Sequence, residues 1–237
     1  MFKKKKVLCV IPARSGSKGL KNKNITKLGN QPLIAWPINS ALKSKYVDKV
    51  VVSTDSLKIS KIAKKYGADV PFLRPKKLAT DSAGTVDVIK HAIKFLEKKN
   101  DFFDYVICLE STSPLSSSKD INNAISILHN NSYKADSIVG VGRCTSQHPE
   151  YLFLKGKNSL LKRYLSKRNI YKRRQDLSDV YFIDGSLYLS KVKSLFLNNS
   201  FVTKKTIPLI MPKYKSFEID DYIDLLIYRT LIKKYEK

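Results

Sequence analysis

One pattern constrains the fold of this chain more than any other: short, continuously apolar runs alternate with amphipathic helical stripes. The runs are "VLCVIPA" (7–13), "KVVVSTDS" (49–56), "YVICLE" (105–110) and "DSIVGV" (136–141). Strands that are apolar at consecutive positions are covered on both faces, as in a parallel sheet between helix layers. Between the runs, Leu33, Ile34, Ile38, Ala41 and Leu42 form one helical stripe, and residues 57–66 form a helix stopped by Gly67. A third helix carries Val86, Ile89, Ile93 and Leu96 behind Thr85 as N-cap, and a fourth runs from Ser118, its cap, to residue 129. "ADVPFL" (68–73) reads as a short strand checked by Pro71. The pattern predicts an α/β fold with a mainly parallel, doubly wound sheet. The rhythm breaks at the basic, aromatic stretch 151–175, then "SLYLS" (186–190), "TIPLIM" (206–211), "SFEIDD" and a terminal helix over 222–234 follow. With no internal repeat or low-complexity linker, residues 1–237 read as a single domain with an insertion at about 142–180.

Doubly wound sheets bind ligands outside the carboxyl ends of their strands. Three polar tips fall there: "RSGSKG", "STDS" and "ESTSPL". The first is the most informative. It leads a loop with four cations, Arg14, Lys18, Lys21 and Lys23, yet the first acidic residue of the chain is Asp48. Gly16 and Gly19 let the backbone turn its N–H groups toward an anion, and the cations close around it. A polyphosphate suits that arrangement, although the loop is neither a Walker A nor a GxGxxG motif.

A net charge of +25 invites a nucleic-acid reading. Lysine is spread over nearly every predicted helix face, however, and no RRM, KH or helix-turn-helix signature is present. The basic stretch 155–174, with Tyr164 and Tyr171, is the segment a base-stacking reading would use. A bias of the whole chain explains most of the lysines, and no nucleic-acid partner is expected. Cys9, Cys108 and Cys144 show no CxxC spacing, and His91, His129 and His148 show no metal-ligand spacing. No apolar stretch reaches a membrane span, and "MFKKKK" reads as a solvated leader. A cytoplasmic protein without a membrane partner is expected.

Six segments then stand together: "IPARSGSKGLKNKN", "VVSTDS", "FLRPKKLATDSAGT", "LESTSPL", "RRQDLSDVYFIDGSLYLS" and "SFEIDD". They occur in the order found in the acylneuraminate cytidylyltransferases, and the chain resembles that family from about Val7 to its last helix. The resemblance implies a nucleotide-diphospho-sugar transferase-like fold with a small inserted dimerisation segment, and hence a homodimer. It also implies a reaction in which CTP and a nine-carbon 2-keto-3-deoxy sugar acid give a CMP-sugar and pyrophosphate, with Mg²⁺ (or Mn²⁺) as cofactor.

Residue by residue, the resemblance gives catalytic roles to Arg14, Lys18, Lys23 and Asp220. Ser15, Gly16 and Asn24 join Arg14 and Lys23 around the nucleotide, together with Arg74, Thr85 and Glu110. Glu110 stands between base and sugar; Thr112, Ser113, Arg174, Gln175 and Asp184 fall on the sugar side. Glu218 and Asp220 match a metal-associated pair, and as alternate residues of a strand they would share a face. Read without the resemblance, Arg74 also fits a turn closed before Pro75, Thr85 a helix cap, and Asp220 or Asp221 a cap for the final helix. The chain departs from the family at Glu110 (often Gln), Ser116 (commonly Arg), Phe182 (Arg in one version) and Asp184 (commonly Asn). The last two fall near the expected sugar pocket and leave the sugar open between N-acylneuraminate and a legionaminate-like acid, while Glu110 bears on the choice of nucleotide. A related synthetase with another sugar or nucleotide, such as a CMP-Kdo synthetase, is the alternative.

Overall fold

The apolar runs become the central strands. The computed structural model describes residues 2–17, 19–165 and 173–235. In chain order the strands are β1 (Val7–Pro12), β2 (Lys27–Leu28), β3 (Gln31–Pro32), β4 (Lys49–Ser53), β5 (Tyr105–Cys108), β6 (Ser137–Arg143), β7 (Phe153–Lys155), β8 (Leu161–Arg163), β9 (Tyr181–Lys191) and β10 (Thr206–Ile210). The helices are α1 (Ala35–Leu42), α2 (Leu57–Lys65), α3 (Thr85–Glu97), α4 (Ser118–Asn130), α5 (Val192–Asn198) and α6 (Tyr222–Tyr235). Six strands form the main sheet in the order β10-β6-β9-β5-β1-β4, while β2–β3 and β7–β8 form two small ribbons.

Strand β1 pairs in parallel with β4 and β5, with Val10 opposite Val51 and Cys9 opposite Ile107. Strand β10 is parallel to β6. Only β9 is reversed, lying antiparallel between β5 and β6. The expected strand 186–190 is thus eleven residues long and starts five residues earlier, at Tyr181. Its direction follows from connectivity. The chain leaves β6 at the carboxyl edge and pairs again there, Arg143 with Tyr181, so no crossover element carries it back to the opposite edge. Residues 69–73 make only isolated bridges, Val51 with Asp69 and Thr54 with Leu73, in place of the expected strand. Pro71 has no N–H to donate to a ladder.

Both faces of the sheet are covered. Cys9, Ile11 and Ile107 pack against Ile38 of α1, Ile59 of α2 and Ile121, Ile125 and Leu128 of α4. Their neighbours Leu8, Val10, Val106 and Cys108 face Ile89, Ile93 and Leu96 of α3 and Leu195 of α5. A separate cluster ties α6 to the opening segment through Leu28, Leu33, Trp36, Ile219, Leu225 and Tyr228. Among the described residues no helix is long and apolar enough to cross a membrane.

Two helix starts differ from the sequence reading by one residue. Gly84, rather than Thr85, is the N-cap of α3, which makes Thr85 the first helical residue. Ser117, rather than Ser118, caps α4: its hydroxyl accepts from the Asp120 N–H at 3.3 Å, and the Asp120 carboxylate accepts the Ser117 N–H at 2.7 Å. The acid three residues on makes the reciprocal bond possible at Ser117. Ser117→Ala should therefore destabilise the chain by about 1 kcal/mol, whereas Ser118→Ala should stay within about 0.5 kcal/mol of wild type. Urea unfolding of both variants checks the assignment; the reverse ranking would contradict it.

Candidate active site

Beyond β1 the chain does not turn back at once but runs as a braced loop. Asn24 is its buried anchor: its side-chain amide donates to the Arg14 carbonyl at 2.8 Å and its Oδ1 accepts the Ser111 hydroxyl from the tip after β5. Ser15 donates both its N–H (2.8 Å) and its hydroxyl (2.6 Å) to Asp55 in the tip after β4. Burial raises the Asp55 pKa, but these bonds from Ser15 outweigh it and hold the carboxyl below its ordinary value. Gly19 passes so close to residues 217–221 that a Cβ there would lie 2.2 Å from the Asp220 carbonyl oxygen. Only glycine permits that approach.

The braced loop walls a cavity of about 430 Å³ at the carboxyl ends of β1 and β5. Of the sequence candidates, Arg14, Lys23, Asn24, Arg74, Thr85, Glu110, Thr112 and Asp220 line it together. Ser15, Gly16, Ser113, Asp184, Gln175 and Glu218 do not. Gln175 lines a separate cavity of about 370 Å³ with Arg143, His148 and Asp179. Lys18 and the Arg174 side chain lie outside the described residues.

Two of the cations that lack a carboxylate nearby in sequence, Arg14 and Lys23, have partners in space. Arg14 pairs with Asp81 through Nη1, and Lys23 Nζ lies 3.1 Å from Asp220. The fold brings the turn before α3 and the segment before α6 to the tip of β1, and no local spacing reports that. Asp81 is the residue of this site that the sequence reading passes over, although it sits inside the quoted segment "FLRPKKLATDSAGT". Its signal is weak, one acid in a turn ahead of a helix. Arg74 is almost fully buried, donating from Nε to the Ser53 hydroxyl at 3.1 Å, from Nη2 to the Ser53 carbonyl and from Nη1 to the Leu78 carbonyl at 3.4 Å. It closes a turn and lines the cavity at once. Burial lowers its pKa to about 10, with nearby Asp55 opposing the shift, so it stays charged at neutral pH. Three cations, Arg14, Lys23 and Arg74, thus face three carboxyl groups, Asp81, Glu110 and Asp220, among the described lining residues.

The acidic side is crowded. Burial raises the pKa of Glu110, while Lys23 and the Thr112 hydroxyl at 3.5 Å pull it down. Glu218 is pushed up to about 7, first by burial and then by repulsion from Glu110 and Asp220. Its carboxyl group lies against Gly185, whose φ is +69°, and a Cβ there would fall 1.4 Å from Glu218 Oε1. Burial also raises Asp184, whose Oδ1 accepts the Ser186 N–H at 3.0 Å and the Ser186 hydroxyl. Residues 217–220 are not the expected strand. The Ile219 N–H bonds to the Thr112 carbonyl at 2.9 Å and its side chain is buried, while Glu218 is half-buried and Asp220 exposed. The alternation survives without a ladder. Asp221 is the helix cap, accepting the Ile223 and Asp224 N–H groups at 2.8 and 3.0 Å. Among the described residues no group of three or more His, Cys, Asp or Glu forms a metal cage.

A mainly parallel sheet with a cationic, glycine-bearing loop at its carboxyl edge is built to hold phosphate groups. The chain belongs to the cytidylyltransferase family, whose sequence profile matches residues 8–207. It is 33% identical over 230 residues to the CMP-N,N'-diacetyllegionaminic acid synthase of Legionella pneumophila, covering 96% of this chain and 97% of that one. It is 34% identical over 230 residues to the pseudaminic acid cytidylyltransferase of Campylobacter jejuni, with the same coverage of 96% and 97%. The fold matches the solved structure of a CMP:2-keto-3-deoxy-manno-octonic acid synthetase complexed with CTP, with a TM-score of 0.67 at 17% identity over 97% of this chain and 99% of that one.

The position of Glu218 has a consequence for stability. Its ordinary pKa is 4.5 and its folded value about 7, so between these values the folded chain keeps a proton that the unfolded chain has released. The associated stabilisation is complete below pH 4.5 and is lost as pH rises through about 7. Wild type should therefore lose stability over this window, in metal-free buffer, relative to Glu218→Gln, which carries no titrating group there. Thermal midpoints of the two proteins that run parallel from pH 4 to 8 would refute the assignment.

Proposed function

We propose that this cytidylyltransferase joins CTP to a nine-carbon 2-keto-3-deoxy sugar acid, and that the cavity beside the β1 loop holds the nucleotide. The anomeric hydroxyl of the sugar attacks the α-phosphorus in line, the bond to the β-phosphate oxygen breaks, and pyrophosphate leaves. Such chemistry depends on positioning and on stabilising phosphate charge. The observation that carries the reading is the convergence of Arg14, Lys23 and Arg74 on one cavity that Glu110 and Thr112 also line. Arg14, Lys23 and Lys18 take the triphosphate, with Asn24 holding the loop in shape; Arg74 and Thr85 line the nucleotide. Ser15 supports this loop through Asp55, and Gly16 gives it room to turn.

Glu110 stands where nucleotide and sugar meet, and the sugar side runs from it through Thr112 and Ser113 to Asp184, with Arg174 and Gln175 supplying a guanidinium and an amide for the carboxylate. Legionaminate-like and pseudaminate-like acids and N-acylneuraminate are the leading sugars, because enzymes of those kinds are about one-third identical along nearly the whole of this chain. Mg²⁺ (or Mn²⁺) fits Glu218 and Asp220. Such an ion takes one or two carboxylates plus phosphate oxygens rather than a full protein cage, and the repulsion among Glu110, Glu218 and Asp220 is charge that a cation relieves. When bound, it would supply neutralisation of the departing pyrophosphate.

A homodimer through the insertion at 142–180 is part of the proposal. The β7–β8 ribbon exposes Leu160 and Leu161 at 72% each, and Leu154, Phe182 and Ile183 are also exposed. Apolar surface of this kind marks an interface, and a second copy covering it would explain why Gln175 lies in a cavity of its own. A cytoplasmic location follows from the need for CTP.

Pyrophosphate release measured with each nucleoside triphosphate and a panel of sugar acids tests the reading. CTP with a nine-carbon acid should be the active pair; activity confined to Kdo or to another nucleotide would overturn it. Arg14→Ala should lower kcat/KM for CTP by roughly 100-fold, about 3 kcal/mol of transition-state stabilisation. Near-normal turnover by that folded variant would reduce the loop to a basic turn.

A further inference from the structure

We infer that Asp81 is a built-in competitor of the triphosphate: its carboxylate occupies the anion position of Arg14 and is exchanged for phosphate when the nucleotide binds. The inference rests on the nucleotide reading of the cavity and assigns a role to a residue outside that reading. Arg14 and Asp81 line the same cavity, and their ion pair joins segments 67 positions apart in the chain. With this pair and the Lys23–Asp220 pair closed, the charges of the described lining residues balance three against three. A triphosphate entering that cavity meets no excess of positive charge from them. To bond Arg14 or Lys23 it must displace the Asp81 or Asp220 carboxylate.

Asp81 is placed to be replaced. It is 47% exposed at its side chain and lies in a surface turn between the short 3₁₀ turn Lys76–Leu78 and the N-cap of α3. Bonds within that turn are local, such as Ala83 N–H to the Thr80 carbonyl at 3.3 Å and Thr80 with Ser82 through their hydroxyls at 3.2 Å. Release of the carboxylate therefore breaks no core packing. Asp55, the other acid at this edge, accepts from Ser15 with both its oxygens and braces the loop itself. The exchange works in both directions. A ligand with too little phosphate charge fails to displace Asp81, and after transfer the returning carboxylate helps expel pyrophosphate. Asp81 is thus a positioning residue that acts through Arg14 and sets the affinity for polyphosphates.

Equilibrium binding of CTP and of inorganic pyrophosphate, measured by calorimetry, tests this on wild type, Asp81→Asn, Asp81→Glu, Arg14→Ala and the Arg14→Ala/Asp81→Asn double variant, each checked for an unchanged thermal midpoint. Asp81→Asn should bind both ligands roughly fivefold more tightly, the scale of a partly exposed ion pair, and Asp81→Glu should return to wild-type affinity. On the Arg14→Ala background the gain should vanish. Unchanged or weaker binding by Asp81→Asn would overturn the inference while leaving the nucleotide site standing. A gain that persists without Arg14 would also overturn it, since it would reflect only the removal of one negative charge. A wild-type protein that binds neither ligand would remove the nucleotide reading itself, and this inference with it.

Discussion

Positive charge at the tip of β1 is matched by negative charge brought from distant parts of the chain. Arg14 and Lys23 leave the strand together, and the acids that meet them come from the turn before α3 and from the segment before α6. Those two pairs tie three distant parts of the chain around one cavity. Asn24 and Ser15 make the tie rigid from the loop's side, through Ser111 and Asp55. The same charges that organise the cavity are the ones a triphosphate would use, so closure of the fold and recognition of substrate draw on one set of groups.

Reversal of β9 does the corresponding work on the acidic side. Because the excursion from β6 begins and ends at the carboxyl edge, the first residues of β9 are delivered there. Gly185 then leaves room for the Glu218 carboxyl group, and Asp184 is buried beside it. An extra parallel strand at this place would put its first residues at the opposite edge. The crowding of Glu110, Glu218 and Asp220 is a product of that topology, and burial with mutual repulsion raises the pKa of Glu218 as far as neutrality.

Much of this was legible in the sequence because it is local. Apolar strands covered on both faces, helical stripes and the glycine-bearing cationic loop each announce themselves within a dozen residues, and six ordered segments point to the family that the comparisons confirm. What was not legible depends on neighbours in space. The partners of Arg14 and Lys23 are 67 and 197 positions away. The length and direction of β9 depend on where the insertion returns, not on the composition of "SLYLS". Residues 217–220 alternate like a strand, but their one described backbone-to-backbone bond runs from the Ile219 N–H to the Thr112 carbonyl, and the Asp220 N–H and Phe217 carbonyl bond the side chains of Asp224 and Tyr228 rather than a ladder. The cap of α4 falls one residue earlier because side-chain identity alone does not say which hydroxyl finds a reciprocal partner, and that of α3 falls on Gly84, which has no side chain to signal it.

The central claim is that carboxylates hold the cations of the β1 loop until phosphate replaces them. A crystal structure of the protein with CTP measures this most directly. The account predicts Arg14 and Lys23 on the triphosphate oxygens, with the Asp81 and Asp220 carboxylates withdrawn from them. A bound CTP whose phosphates lie elsewhere, with both ion pairs still closed, would contradict it.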